Sequence, residues 1–251
     1  MQPFVTQLID LTLIQMTNWR WAWRSGLIVS SFIPIYLIAT FGVFASSDDR
    51  VGLSYLLTGS LMLSLLLIGL SRVSEHFAFM RAMGALDYFA TLPVSRIAFV
   101  LAALIAFLVL ALPSTLATLL LGTLILHAPL NIHPLVILVL PLICIALSGL
   151  GALIGLVGHN PDEVNNLSTL VSFVLFGFGP VIVPLERLPV FIQTLSLLSP
   201  ATYAASGLRQ VLLGLPDRIP LSLDVVVLFT FTVGFFCLVA RRLDWRRLSY
   251  P

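Results

Sequence analysis

The chain has 251 residues, of which 59% are hydrophobic and 10% are charged, with a formal net charge of +2 and a mean hydropathy of +1.07. These values lie far outside the range of soluble globular domains and predict an integral membrane protein. The polar loops are too short to hold a folded soluble domain, so we expect one all-α polytopic membrane domain over residues 1–251. We expect no nucleic-acid partner.

The first 24 residues contain no unbroken apolar stretch long enough to cross a bilayer. Apolar residues recur there at helical spacing beside Gln7, Asp10 and Gln15, and the segment ends in "NWRWAWR". This pattern predicts an N-terminal amphipathic helix in the membrane interface, with Trp19, Trp21 and Trp23 at the level of the lipid headgroups. The alternative is a helix that packs against other parts of the protein in water.

Six apolar segments follow. A bilayer core requires about 20 consecutive apolar residues per helix. Five uncharged runs reach that length, namely 25–47, 51–71, 97–126, 134–158 and 164–185, and a sixth, 225–240, reaches it once 219–223 is added. We therefore predict six transmembrane helices without a charge deep inside them, and the absence of such a charge counts against an ion-coupled carrier.

All 13 basic residues are arginine. Nine of them lie before the first span (Arg20, Arg24), between the second and third (Arg72, Arg81, Arg96) and after the last (Arg241, Arg242, Arg246, Arg247). The opposite loops are poor in arginine: "SSDDR" contains one and "HAPLNIH" none. Because short arginine-rich loops remain in the cytoplasm, we predict that both termini and residue 163 are cytoplasmic and that residue 49 lies outside.

The segment 188–208 is also uncharged and long enough to cross the membrane. A crossing there would place "ARRLDWRR" outside, against the charge rule, and would put Pro189 and Pro200 inside a membrane helix. We predict instead a re-entrant pair of short helices that enters and leaves on the outer face between spans five and six. Pro200 would separate the two helices, and Arg209 would return to the interface, where its multiple donors can reach phosphate or a backbone carbonyl.

Charged residues cluster in two places on the predicted cytoplasmic side. In 71–96, Phe77, Met80, Leu86, Phe89 and Leu92 form one side of an amphipathic pattern, and Glu75, Arg81 and Asp87 are available to a partner. In 158–166, "GHNPDEVNN" forms a short polar turn. Either segment is compatible with a plain solvated connection, but the first is long for a connector and favours a docking function.

Two stretches resemble the permeases of type 2 ATP-binding-cassette (ABC) transporters. "RAMGALDYFATLPVSRIAF" is similar to that family's cytoplasmic segment, in which a Gly-x-Leu-acidic turn leads to a Leu-Pro-x-Ser-Arg step into the third span. "FGFGPVIVPLERLPVFIQTLSLLSPATYAASGLRQVLLG" is similar to its re-entrant region after the fifth span. With the six spans and the interfacial helix, the resemblance covers essentially the whole chain.

The resemblance implies roles for two sets of residues. Coupling to an ATPase subunit is expected at Glu75, Phe79, Arg81, Met83, Gly84 and Asp87. An extracellular re-entrant gate is expected at Pro189, Pro200, Tyr203 and Arg209. The chain contains no lysine and hence no G-x-x-x-x-G-K-[ST] phosphate loop, so ATP and Mg²⁺ are expected on a separate partner and no cofactor is expected on this chain.

The substrate route is less marked in the sequence. Phe32 and Phe41 in the first span and Phe173 and Phe176 in the fifth are candidates for an apolar path, with packing or lipid contact as the alternative. Glycines of the fourth span, four residues apart, permit close helix approach within the subunit or across a dimer. The histidines are not grouped as a metal site, and Cys144 and Cys237 are expected to be packing residues.

The sequence thus predicts a permease subunit of a prokaryotic ABC exporter in the inner membrane, without catalytic residues of its own. Its expected substrate is a hydrophobic or amphipathic compound such as a drug, an antibiotic or a lipid. Its expected partners are ATPase subunits, a second copy or homologue of the permease, and membrane lipids. The alternatives are a polysaccharide or glycolipid exporter of the same family and a stand-alone secondary carrier or membrane enzyme.

Overall fold

The structure, a computed structural model, describes residues 4–18, 23–44, 50–127, 130–181, 183–185, 188–215 and 217–242. Within these residues the regular structure is helical, without a strand. The helices are α1 (Phe4–Asn18), α2 (Trp23–Phe44), α3 (Arg50–Leu65), a π-helical segment (Leu66–Arg72), α4 (Val73–Ala82), α5 (Ala85–Thr91), α6 (Arg96–Leu126), α7 (Val136–Val157), α8 (Pro161–Phe178), α9 (Val190–Ser196), α10 (Pro200–Leu213) and α11 (Leu221–Arg242). The all-α polytopic architecture agrees with the sequence prediction.

The second predicted span is longer than its apolar run. α3, the π-helical segment and α4 form one uninterrupted helix, which is apolar enough to cross a membrane over Val51–Ala82. The helix thus continues beyond residue 71, where the predicted span ends, and Arg72 and Glu75 form an ion pair with each other on its surface without interrupting it. The polar segment that we expected after this span therefore begins inside the same helix, in its last turns.

An abrupt bend ends this long helix. Gly84 adopts a left-handed conformation (φ 69°), which glycine occupies without the strain that a side chain would cause. α5 starts immediately after it, and Leu92 is extended ahead of Pro93, as expected for a residue that precedes proline. Ser95 then caps α6 by accepting a hydrogen bond from the Ala98 N–H at 3.1 Å. We call residues 79–88 the elbow.

Four helices of the described residues are long and apolar enough to cross a membrane: Val51–Ala82, Arg96–Leu126, Val136–Val157 and Leu221–Arg242. α2 has 22 residues, of which 30–42 form a shorter apolar stretch among the residues searched. α8 has 18 residues and begins with polar ones. The count of six spans therefore stays a prediction.

Glycines bring α7 against the long helix. A Cβ on Gly151 would lie 2.5 Å from the Leu70 carbonyl oxygen, and one on Gly155 would lie 2.5 Å from the Ser74 carbonyl oxygen. The Ser74 hydroxyl donates to the Gly151 carbonyl at 2.9 Å across the same seam. Of the two alternatives for these glycines, the structure thus shows close approach within the subunit.

The N-terminal helix α1 packs along α6. Leu11 and Gln15 are buried against the bundle, whereas Val5, Ile9 and Leu13 are exposed. The Gln15 Oε1 atom lies 2.8 Å from the His76 Nε2 atom, and Gln7 accepts a hydrogen bond from the Ser95 N–H. α1 therefore combines a protein-packed side with an apolar open side; Trp19 and Trp21 lie outside the described residues.

Both ends of the segment 188–208 lie at the same end of the bundle. The Arg209 Nη1 atom donates to the Pro180 carbonyl at 3.2 Å, which brings together the residues on either side of the segment. The Val211 and Leu212 carbonyls accept hydrogen bonds from the N–H groups of His133 and Asn131 in the α6–α7 loop. We call this the loop end of the bundle and the opposite end the elbow end. The geometry agrees with a re-entrant segment and contradicts a seventh crossing.

Candidate functional site: the elbow surface and the α10 network

The elbow presents large side chains to the surroundings. Phe79 is 54% exposed, Met83 68% and Tyr88 64%, and Asp87 is exposed beside them. We call these four residues the elbow surface. Exposed apolar patches of this kind mark contact with a protein partner or with a membrane. Phe79, Met83 and Asp87 were among the residues expected to couple to a partner, whereas Tyr88 was not.

The opposite side of the elbow is packed. Phe77, Met80, Leu86 and Phe89 are buried, as the amphipathic pattern predicted. The Phe89 ring lies 4.9 Å from that of Phe99 in α6, measured between centroids. The elbow surface therefore rests on a packed core.

Two charged residues near the elbow make contacts within the chain. Glu75 accepts a hydrogen bond from Arg72 at 3.1 Å. The Arg81 Nη1 atom donates to the Leu156 carbonyl at 2.9 Å and to the Gly158 carbonyl at 2.8 Å, at the end of α7. The expectation that Arg81 orients a partner stays a prediction.

At the loop end, α10 begins where the sequence predicted a break. Ser199 caps the helix through a hydrogen bond from the Ala201 N–H, and Pro200 occupies the first turn, where its missing N–H costs nothing. Pro189 directly precedes α9. The Tyr203 hydroxyl donates to the Leu197 carbonyl at 2.8 Å, so Tyr203 ties α10 to the end of α9.

Arg209 is buried and engaged from three sides. Its Nε and Nη2 atoms donate to Asp217 Oδ2 at 2.9 and 2.7 Å, and its Nη1 atom donates to the Pro180 carbonyl. Its guanidinium carbon lies 4.1 Å from the centroid of the Tyr55 ring in α3, a cation–π geometry. Of the two partners expected for Arg209, phosphate or a backbone carbonyl, the structure shows the carbonyl.

A second acidic residue lies beside it. Asp224, in the first turn of α11, is fully buried and accepts hydrogen bonds through Oδ2 from the Ser206 hydroxyl (2.8 Å) and the Gln210 amide (2.9 Å). We expected no charge deep inside the spans; Asp224 lies in the first turn of α11, between the runs 219–223 and 225–240, so that expectation stays a prediction. In the sequence, the signal for this buried acidic residue was the single aspartate within the apolar stretch "LSLDVVV".

We call Ser206, Arg209, Gln210, Asp217 and Asp224 the α10 network. Three of its members lie on one face of α10, at spacings of three and four residues. They connect α10 to the loop before α11, to α11 itself and, through Pro180, to the segment after α8. The arrangement pairs these polar side chains by mutual hydrogen bonds at the loop end, in addition to the backbone hydrogen bonds that join α10 to the α6–α7 loop.

The four candidate phenylalanines do not meet in a shared cleft among the described residues. Phe32, Phe41 and Phe173 are exposed on the faces of α2 and α8, and Phe176 is partly buried. An apolar cavity of about 360 Å³ lies elsewhere, between α3, α6, α7 and α10. Leu61, Leu116, Leu140 and Leu208 are among its lining residues, and none of the four phenylalanines is. The substrate path through the phenylalanines stays a prediction.

The comparison with protein families agrees with this architecture. The family model of the ABC-2 type transporter matches residues 6–213, which include the elbow and most of the α10 network. The chain belongs to this family, and it is a transmembrane permease component of an ABC transporter.

Curated relatives give a second, narrower comparison. The inner membrane transport permeases YadH of Escherichia coli strain K12, of Escherichia coli O157:H7 and of Shigella flexneri are each 36% identical to the chain over 110 residues. The matched part is 43% of this chain and 43% of each relative, so the comparison spans less than half of either protein. Together with the family and the apolar helices, these relatives identify a multi-pass inner-membrane protein.

Proposed function

We propose that the chain is the membrane-spanning subunit of an ATP-driven exporter. In this proposal it pairs with a second permease, identical or related, and each permease binds a separate ATPase subunit at the elbow end, which faces the cytoplasm. The single observation that carries the proposal is the elbow surface: apolar side chains exposed on a rigid bend, in a chain of the ABC-2 type transporter family.

The sequence supports the separation of permease and ATPase. A nucleotide-binding phosphate loop needs a lysine for the β- and γ-phosphates, and the 251 residues contain none. ATP and Mg²⁺ are therefore assigned to the partner subunit. This chain supplies the docking surface and the path through the membrane.

One continuous helix joins the two candidate sites. Phe79 lies on the elbow and Tyr55, against Arg209, lies near the other end of the same helix. At 1.5 Å per residue they are roughly 36 Å apart along the axis, about the thickness of a bilayer core. Tilting of this helix by the ATPase subunits would move Tyr55 relative to α10, which provides a mechanical route from ATP binding to the re-entrant segment.

The proposed substrate is a hydrophobic or amphipathic compound, such as a drug, an antibiotic or a lipid. The cavity between α3, α6, α7 and α10 supports this class, because Thr115 is its only polar side chain among the described residues and its hydroxyl is bonded to the Ala111 carbonyl. Such a lining favours hydrocarbon and disfavours a sugar chain, whose hydroxyls would remain unpaired there.

Purification of the tagged chain in mild detergent tests the proposal. Mass spectrometry should identify a copurifying protein with a phosphate-loop sequence, and Met83→Ala combined with Asp87→Arg should remove it. The matched control is Leu198→Ala combined with Arg218→Asp, which alters an exposed apolar residue and an exposed charge at the loop end. Retention of the ATPase by the elbow variant would contradict docking at the elbow surface.

A further inference from the structure

Arg81 joins the elbow to a second segment at the same end of the bundle. It lies one residue before the end of α4, and its Nη1 atom bonds to two carbonyls, that of Leu156 in the last turn of α7 and that of Gly158 directly after it. The last carbonyls of a helix lack partners within the helix, and a cation near them is stabilised by the helix dipole. Arg81, which belongs to another helix, thus donates hydrogen bonds to carbonyls at the end of α7.

The two helices that Arg81 connects are already packed closely along their length. Gly151 and Gly155 of α7 leave no room for a Cβ against the backbone at Leu70 and Ser74. Arg81 lies at the end of this seam, where the packing passes into the elbow surface. A displacement of α4 is therefore transmitted to the end of α7 both by contact and by these two hydrogen bonds.

The turn that follows α7 is itself well ordered by hydrogen bonds. The Asn160 side chain accepts from the Glu163 N–H at 2.8 Å, and the Glu163 carboxylate accepts from the His159 N–H at 3.0 Å. These two hydrogen bonds cap the start of α8 in the manner of a capping box, with the Glu163 carboxylate on the N–H of the residue that precedes the N-cap. Its outer side carries Asp162 and Glu163, which are exposed. The turn between α7 and α8 is thus compact and acidic, and Arg81 connects it to the elbow.

We infer that Arg81 is a positioning residue that fixes the α7–α8 turn against the elbow, so that the two segments form one composite docking surface. This inference rests on the proposed function and deepens it. Phe79, Met83 and Tyr88 form the apolar part, and Asp87, Asp162 and Glu163 form the acidic part. The partner surface that fits them is an apolar groove on the ATPase subunit with basic side chains at its rim, because charge complementarity sets the orientation of docking.

The first test measures whether Arg81 holds the α7–α8 turn against the elbow, with the chain alone in lipid nanodiscs. Spin labels are attached after Met83→Cys and Asp162→Cys in a Cys144→Ser, Cys237→Ser background, and the distance between them is measured by pulsed electron paramagnetic resonance. Arg81→Gln should widen the distance distribution, whereas Arg72→Gln, which breaks only the local pair with Glu75, should leave it unchanged. Arg81→Lys keeps one donor group and should restore part of the order. An unchanged distribution in Arg81→Gln would overturn the inference.

The second test measures docking by the complete transporter. Asp162→Arg should weaken binding of the ATPase subunit by about tenfold or more, the effect of one lost interface anchor. Normal binding to Asp162→Arg, with binding lost in Met83→Ala, would show that the surface is the elbow alone and would overturn the composite surface. If the unaltered chain binds no ATPase at all, the proposed function fails, whereas the spin-label distances still decide whether Arg81 ties the turn to the elbow.

Discussion

The Arg209 guanidinium lies 2.7 Å from the Asp217 carboxylate, and the two side chains are only 4% and 17% exposed. This pair joins α10 to the loop that precedes α11. A buried cation needs a compensating charge and hydrogen bonds, and the Pro180 carbonyl and the Tyr55 ring add to those from Asp217. The re-entrant helix is thus fixed by charge at the end where it turns back.

Removal of one partner should be costly. Arg209→Ala leaves the Asp217 carboxylate without its cation, and the expected loss of stability is about 3 kcal/mol. Thermal unfolding of the purified chain in nanodiscs measures it. Reversing the pair, with Arg209→Asp and Asp217→Arg together, should not restore stability, because the Pro180 carbonyl would then face a carboxylate. An Arg209→Ala variant as stable as the original would show that the pair contributes nothing.

Two variants of Asp224 separate the effect of its charge on stability from the effect of its hydrogen bonds. Its Oδ1 atom has no hydrogen-bond partner among the described residues, whereas Oδ2 accepts from Ser206 and Gln210. Asp224→Asn keeps an acceptor and removes the buried charge, so it should be neutral or stabilising. Asp224→Leu removes the acceptor of the Ser206 hydroxyl, whereas the Gln210 amide keeps the Ile219 carbonyl, so this variant should cost about 1–3 kcal/mol. Equal losses in the two variants, measured by thermal unfolding, would show that the charge itself is required.

The α7 seam predicts a sharp difference between two glycines. Gly155→Ala places a methyl group against the Ser74 carbonyl, a backbone atom that cannot move aside, and should destabilise the chain by about 1–3 kcal/mol. Gly234→Ala, in the middle of α11, meets nothing within 4 Å in the chain and should be neutral or slightly stabilising because alanine favours helix. Comparable losses in both variants would contradict the close approach of α7 to α4.

How much of this follows from the sequence differs between elements. Hydropathy located the long helices, and proline with arginine placement predicted the re-entrant pair, because a bilayer penalises unpaired backbone groups and misplaced charge. The continuation of the second helix to Ala82 did not follow from hydropathy, since the charges of Arg72 and Glu75 end the uncharged run although the helix continues.

The contacts within the candidate sites depended on three-dimensional packing. Arg209 was predicted at the interface, where phosphate was one expected partner, but its partners Asp217 and Tyr55 come from other parts of the chain, 8 and 154 positions away. Arg81 was predicted to face outward, and its bonds to the end of α7 depend on the glycine seam. Periodicity shows which side of a helix is polar, and the neighbour that meets this side is set by the tertiary fold.

The orientation of the two ends is directly testable. We expect the loop end to face outward and the elbow end to face the cytoplasm. In a Cys144→Ser, Cys237→Ser background, Leu198→Cys should react with an impermeant maleimide in intact cells, whereas His159→Cys should react only after the membrane is opened. Both positions are well exposed in the chain. Labelling of 159 but not 198 in intact cells would invert the orientation and contradict docking of a cytoplasmic ATPase at the elbow. The corresponding expectation for residue 49 concerns a position outside the described residues.

Reconstitution into liposomes tests most directly whether the chain is an ATP-driven transport subunit with a separate motor. Purified chain, with and without the copurifying ATPase, is assayed for ATP hydrolysis and for movement of fluorescent amphipathic dyes and labelled lipids. The account predicts hydrolysis and ATP-dependent probe movement only when both proteins are present, and loss of probe movement when Met83→Ala and Asp87→Arg are combined. Movement of a probe by the chain alone, without ATPase or ATP, would contradict it.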